Sequence, residues 1–132
     1  MPLHFHAALI TLLTVLLLAL AMYFVGSARG KHGVKAPAAT GHPDFERAFR
    51  AHQNTVEQAV MFLPSLWIAS LYSNANIAAA LGFAWLLARL WYLLAYIRPG
   101  GNRGPGFTIS SLAGLGLLLL GLWGLLAPLF AR

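Results

Sequence analysis

Ala7 to Val25 is a run of 19 residues without a charge. At about 1.5 Å per helical residue it nearly crosses the roughly 30 Å hydrocarbon core of a bilayer. Ile77 to Ile97, with a single arginine, and Phe107 to Phe130, with no charge at all, are also long enough. A fourth run, Ala59 to Tyr72, has only 14 residues and spans only if it borrows length from the polar segment before it. Of 132 residues, 59 % are hydrophobic and 9 % charged, too few charges to cover a soluble domain. The expected fold is therefore an all-α integral membrane protein, a four-transmembrane-helix bundle forming one domain over residues 1–132. The first run lacks a basic leader, has too long an apolar core for a signal peptide, and ends in "VGSARG", a poor cleavage site. It is read as a retained helix.

The net charge of +6 is explained by its placement. Arg29, Lys31, Lys35, Arg47, Arg50, Arg98 and Arg103 lie in or beside the first and third connections, whereas the second, "YSNAN", has none. This bias predicts cytoplasmic first and third loops, with both termini on the opposite side. Anionic headgroups account for the basic residues as a group, so no nucleic-acid partner is inferred. There are no cysteines, which excludes intrinsic disulfide chemistry; any thiol must arrive on a small molecule.

Helices are expected over about residues 4–27, 43–72, 76–97 and 107–130. Pro43 suits a first helical position, and Asp44 and Glu46 complement the dipole behind it. Helix 2 is longer than the bilayer core, so its first half projects into the interface, and Pro64 inside it is a candidate kink. The third connection, "RPGGNRGPG", reads as a loop. On helix 4, Ser110, Gly114, Gly121 and Gly124 fall roughly on one face, a pattern for close helix packing.

The segment "FERAFRAHQNTVEQ" concentrates polar residues just before an apolar run. Helical spacing sets Arg50, Asn54 and Glu57 on one stripe, with Gln53 beside them. An intrahelical ion pair on an interfacial helix is one reading. A binding wall is the other, because an ionisable group near the apolar core costs about 2–3 kcal/mol unless it is used or paired. Helix 3 carries Trp85, Arg89, Tyr92 and Tyr96 on a matching stripe, which alone could be an interfacial aromatic belt. Arg89 lies near mid-membrane, and Glu57 is the only acid in or against the apolar runs, so the two are expected to pair. Arg103 is either a membrane anchor or a cation at the mouth of the same site, and Arg29 could lie at that level. Such a site suits a small zwitterion with excess negative charge, meeting an apolar partner from the lipid.

These residues resemble the family of membrane-associated proteins in eicosanoid and glutathione metabolism, which includes microsomal glutathione transferases and leukotriene C4 synthase. The resemblance rests on Phe45-Glu46-Arg47, Arg50-Ala51, Asn54 and Glu57, then Leu66-Trp67; on "ARLWYLLAY", Ala88 to Tyr96; and on Arg103 in "RGPGF", which looks like the bacterial branch. It runs from about Ser27 to Ser110. It implies a homotrimer in a bacterial inner membrane, with glutathione bound between subunits near the cytoplasmic face. Arg50, Asn54, Glu57, Tyr92 and Tyr96 would hold glutathione as co-substrate. Arg29 and Gln53 or His52 would contribute across the subunit boundary, and Arg103 would be catalytic, stabilising the thiolate against a lipophilic electrophile or lipid hydroperoxide. Gln58 and Gly30 stand where leukotriene-forming members have a tyrosine and an arginine, which argues against an eicosanoid-specific role. A non-catalytic binder of lipophilic ligands and a scaffolding protein are the alternatives. The five histidines show no zinc-protease spacing and no facing mid-membrane pair, so neither metal nor haem is expected. A proton-coupled exporter would need an acid in helix 1, which has only Thr11 and Thr14.

Overall fold

A computed structural model describes residues 2–131. Four helices account for nearly all of it: α1 Phe5–His32, α2 Pro43–Tyr72, α3 Ala75–Ile97 and α4 Gly104–Phe130. Three of them, α1, α3 and α4, are long and apolar enough to cross a membrane by themselves. α2 is the exception that its short apolar run anticipated. It continues through Pro64 as one 30-residue helix, about 45 Å long.

The ends of the helices follow from local chemistry. α1 runs five residues beyond the expected boundary, through Arg29 and Lys31 to His32, and stops where Gly33 takes the left-handed conformation (φ 66°). Basic side chains suit that last turn because they face the negative end of the dipole. His42 caps α2, its Nδ1 accepting the Asp44 amide at 3.1 Å, with Pro43 in the first turn. Asn74 caps α3 through the amides of Asn76 and Ile77. α4 starts three residues before the expected position. Pro105 fits the first turn, and the Arg103 carbonyl receives the first helical bond from Phe107.

α2 and α3 form the centre. Each packs against the other and against both α1 and α4, while α1 and α4 do not meet among the described residues. The buried residues of α1 (Ala7, Ile10, Thr14, Leu17, Ala21) alternate three and four apart, as a single packed stripe requires. The outer flanks of α1 and α4 stay apolar and open, with Leu16 64 % and Trp123 68 % exposed. Such flanks suit lipid or another subunit rather than water.

Small residues let α4 approach closely. A Cβ at Gly124 would lie within 3 Å of the Tyr72 carbonyl, and one at Gly106 would meet the α3 backbone at Ala88 and Tyr92. The expected packing face is present, with Ser110 and Gly121 buried. Gly106 belongs to it as well.

Candidate functional site

The N-terminal half of α2, the C-terminal half of α3 and the first turn of α4 converge at the end of the bundle that carries the first and third connections. There Asn54, Tyr92, Arg103, Gly104 and Phe107 line an open cavity of about 300 Å3. Asn54 Nδ2 donates to the Tyr92 hydroxyl at 2.8 Å. The rings of Tyr92 and Tyr96 meet edge to face at 5.5 Å, and the Arg103 guanidinium lies over Tyr96, 4.4 Å from the ring centroid. That stacking orients the cation by its attraction to the aromatic face. Its position at the N-cap of α4 adds the positive end of a helix dipole to the guanidinium charge. The cavity therefore combines an exposed cation, stacked on Tyr96, with neutral donors, an arrangement suited to an anion.

Beneath it lies Arg89, 1 % exposed. The expected ion pair with Glu57 is not formed in the described chain. Arg89 Nε donates to Thr55 Oγ1 at 3.1 Å, Nη1 reaches Ser110 Oγ at 3.4 Å, and the guanidinium lies over the Tyr92 ring at 3.7 Å. The reason is helical phase. α2 turns Thr55 inward, and Glu57, two residues later, is rotated by about 200° and stands exposed. Hydroxyls and an aromatic face thus satisfy a buried cation where the sequence suggested a carboxylate. Thr55 gives no sequence signal as a partner, and Ser110 reads only as a small packing residue.

The other candidate residues separate into two places. Arg50, Gln53 and Glu57 lie exposed on one flank of α2 and make no hydrogen bond or ion pair with any described residue. His52 is half-buried on the same helix. Arg29 serves the first connection instead of lining the cavity. Its Nη1 donates to the Ala38 carbonyl at 2.8 Å and the Val34 carbonyl at 3.4 Å, and its guanidinium covers the buried Phe45 ring at 4.6 Å.

His32, His42 and Asp44 bring potential metal-ligating atoms within 4.8 Å of one another at the α1–α2 elbow. The groups are already engaged. The two imidazoles stack at 3.8 Å, His42 Nδ1 takes the Asp44 amide, and the Asp44 carboxylate is held by Arg47 and lies 3.7 Å from His32 Nε2. Their arrangement clasps the C-terminus of α1 to the N-terminus of α2.

Comparison with known proteins agrees with this architecture. The chain is 44 % identical to an uncharacterized protein of Synechocystis over 122 residues, covering 89 % of each. It is 40 % identical over 118 residues to microsomal glutathione S-transferase 2 of Bos taurus, covering 87 % of this chain and 78 % of the relative. With leukotriene C4 synthase of Cavia porcellus it shares 41 % identity over 120 residues, 91 % of this chain and 80 % of the relative. Residues 7–123, which take in α2, α3, most of α1 and α4 and the cavity, match the MAPEG family model, and the chain belongs to that family.

Proposed function

We propose that this protein is a membrane-bound glutathione transferase that presents the glutathione thiolate to lipophilic electrophiles or lipid hydroperoxides. The observation that carries this reading is the cavity in which Asn54, Tyr92 and Arg103 face one another at the start of α4. The names of the relatives, a glutathione S-transferase and leukotriene C4 synthase, support it. In this reading Arg103 holds the sulfur anion. Asn54, Tyr92 and Tyr96 orient the peptide, and Arg50, Gln53 and Glu57 receive its charged ends.

The exposed, unpartnered flank of α2 and the apolar outer faces of α1 and α4 support a homotrimer in which a neighbour completes the site. Arg29, with His52 or Gln53, would act across that boundary. Placing the basic first and third connections in the cytoplasm sets the cavity at the inner face of a bacterial inner membrane. Glutathione then arrives from the cytosol and the electrophile from the bilayer.

The electrostatics suffice once a neighbouring subunit shields Arg103, which is exposed in the single chain. Lowering a thiol pKa from about 8.5 to about 6.5 requires roughly 2.7 kcal/mol of preferential anion stabilisation, which a charge-assisted contact away from bulk water can supply. Because the anion is the stabilised form, thiolate persists at neutral pH and is lost only as pH falls through the lowered pKa. In an addition to an unsaturated carbonyl, the S–C bond forms at the β-carbon. The π electrons move to the carbonyl oxygen, and water protonates the α-carbon.

The test is stopped-flow ultraviolet absorbance of the thiolate on mixing detergent-purified protein with glutathione, comparing wild type with Arg103→Ala. A signal at neutral pH that Arg103→Ala moves about two pH units upward is expected. Saturable glutathione binding without thiolate would indicate a non-activating binder. No binding would refute the reading.

A further inference from the structure

A second cavity, of about 240 Å3, opens between α2, α3 and α4 one helical turn from the first. Asn54 and Phe107 line the first cavity; Gln58 and Ser111, each four residues further along the same helix, line the second. Its walls are mostly apolar, formed by Met61, Phe62, Leu115 and Leu118. Set into them is a short hydrogen-bonded chain. Trp85 Nε1 donates to Gln58 Oε1 at 3.2 Å, and Gln58 Nε2 donates to Ser111 Oγ at 3.1 Å. An indole N–H can only donate, so it dictates which end of the Gln58 amide faces it. The Phe62 ring lies flat against Trp85, 3.8 Å away and tilted by 8°, which holds the indole in place.

This chain leaves two donors open. Gln58 Nε2 has a second hydrogen, and the Ser111 hydroxyl proton meets no acceptor among the described residues. Neighbouring Ser110 is not in that position, because it donates to the Phe107 carbonyl and receives Arg89. An unmet donor in apolar surroundings is more costly than an unused second lone pair on an oxygen. The cavity therefore asks for an oxygen acceptor carried on an apolar body.

We propose that this cavity receives the carbonyl end of a lipophilic α,β-unsaturated aldehyde or ketone, with Gln58 Nε2 and Ser111 Oγ donating to its oxygen. These two residues select such acceptors over halogenated hydrocarbons. The reaction rests on the glutathione reading above; the binding rests on the cavity alone.

The decisive experiment uses 2-nonanone labelled with carbon-13 at the carbonyl, an unreactive saturated ketone, mixed with the full chain in detergent. Infrared difference spectra should show a bound carbonyl band below that of the ketone in empty micelles. The band should vanish in the Gln58→Leu/Ser111→Ala double variant and persist in Ser111→Thr, which keeps the hydroxyl. Absence of the band from folded wild-type protein overturns the proposal, whatever the enzyme does with glutathione. In turnover, Gln58→Leu should raise KM for trans-2-nonenal about tenfold, the worth of one or two hydrogen bonds, and leave KM for benzyl chloride unchanged. Equal effects on both substrates overturn the selectivity. A wild-type band without turnover of either substrate would refute the glutathione reading and leave the carbonyl site standing.

Discussion

Replacing Gly106 by alanine would place a methyl group 2.7 Å from the Tyr92 amide nitrogen, 2.8 Å from the Ala88 carbonyl oxygen and 2.9 Å from the Tyr92 Cα. All three are backbone atoms of α3, so no side-chain rotation relieves the contact. Ordinary carbon contacts lie at about 3.5–4.0 Å, so the first turn of α4 must retreat by close to 1 Å. Overpacking of this kind costs about 1–3 kcal/mol, and the better helix propensity of alanine returns at most about 1 kcal/mol. The net expectation is a loss of about 1–2 kcal/mol, read as a lower SDS fraction at the unfolding midpoint in mixed micelles. Function should suffer more. Arg103 caps the same turn, and a displacement of about 1 Å at a reacting centre can cost about 100-fold in rate. Thiolate yield and kcat/KM with glutathione should therefore fall far more than stability does. Gly26→Ala is the control, because nothing lies within 4 Å of its Cβ and the helix should gain about 0.5–1 kcal/mol. A Gly106→Ala protein as stable as wild type, with unchanged thiolate formation, would refute the claim that α4's close approach positions Arg103.

Four further outcomes are expected. Gly124→Ala, whose Cβ would meet the Tyr72 carbonyl at 2.3 Å, should destabilise by about 1–3 kcal/mol in the same unfolding assay. Being at the far end of α4, it should leave thiolate formation nearly intact. Tyr92→Phe strips the Asn54 amide of its partner and should cost about 1 kcal/mol of stability, with weaker glutathione binding in a calorimetric titration. Arg89→Lys keeps the charge but cannot match a planar fork that reaches Thr55 and Ser110 while lying over Tyr92. It should unfold earlier by at least about 1 kcal/mol, and stability equal to wild type would show that charge alone matters. His42→Ala removes the cap on α2, and the expected loss is about 1 kcal/mol. Amide hydrogen exchange should accelerate at Asp44 and its neighbours and at the last turn of α1, where His32 loses its stacking partner, and not in the rest of the bundle.

Much of the molecule was legible from local chemistry. Run lengths and charge placement are properties of contiguous residues, so the four helices, the membrane and the polar mouth near Asn54 follow without any tertiary information. Pro43 marks the start of its helix for the same reason, and the motif around Arg50 and Asn54 points to the family by itself, whereas the glycine-rich composition after Ser27 reads as loop and hides the last turn of α1. Helical spacing by itself, however, only lists the residues that share a stripe. Which side of the stripe turns inward depends on the neighbouring helices. Arg89 shows the difference: counting acids gave it Glu57, but the packed helices gave it Thr55, Ser110 and the face of Tyr92. Arg103 shows it again. Its glycine-rich setting reads as loop, yet Pro105 and the tight seat of Gly106 on α3 draw the helix back to Gly104 and make the arginine a cap. The second cavity could not be foreseen at all, since Gln58, Trp85 and Ser111 come from three helices and meet only across their packing. The chain determines locally which segments cross the bilayer and where its polar groups are concentrated. The tertiary structure decides which groups partner one another, because hydrogen bonds and close contacts depend on distance in space and on the phase at which each helix docks.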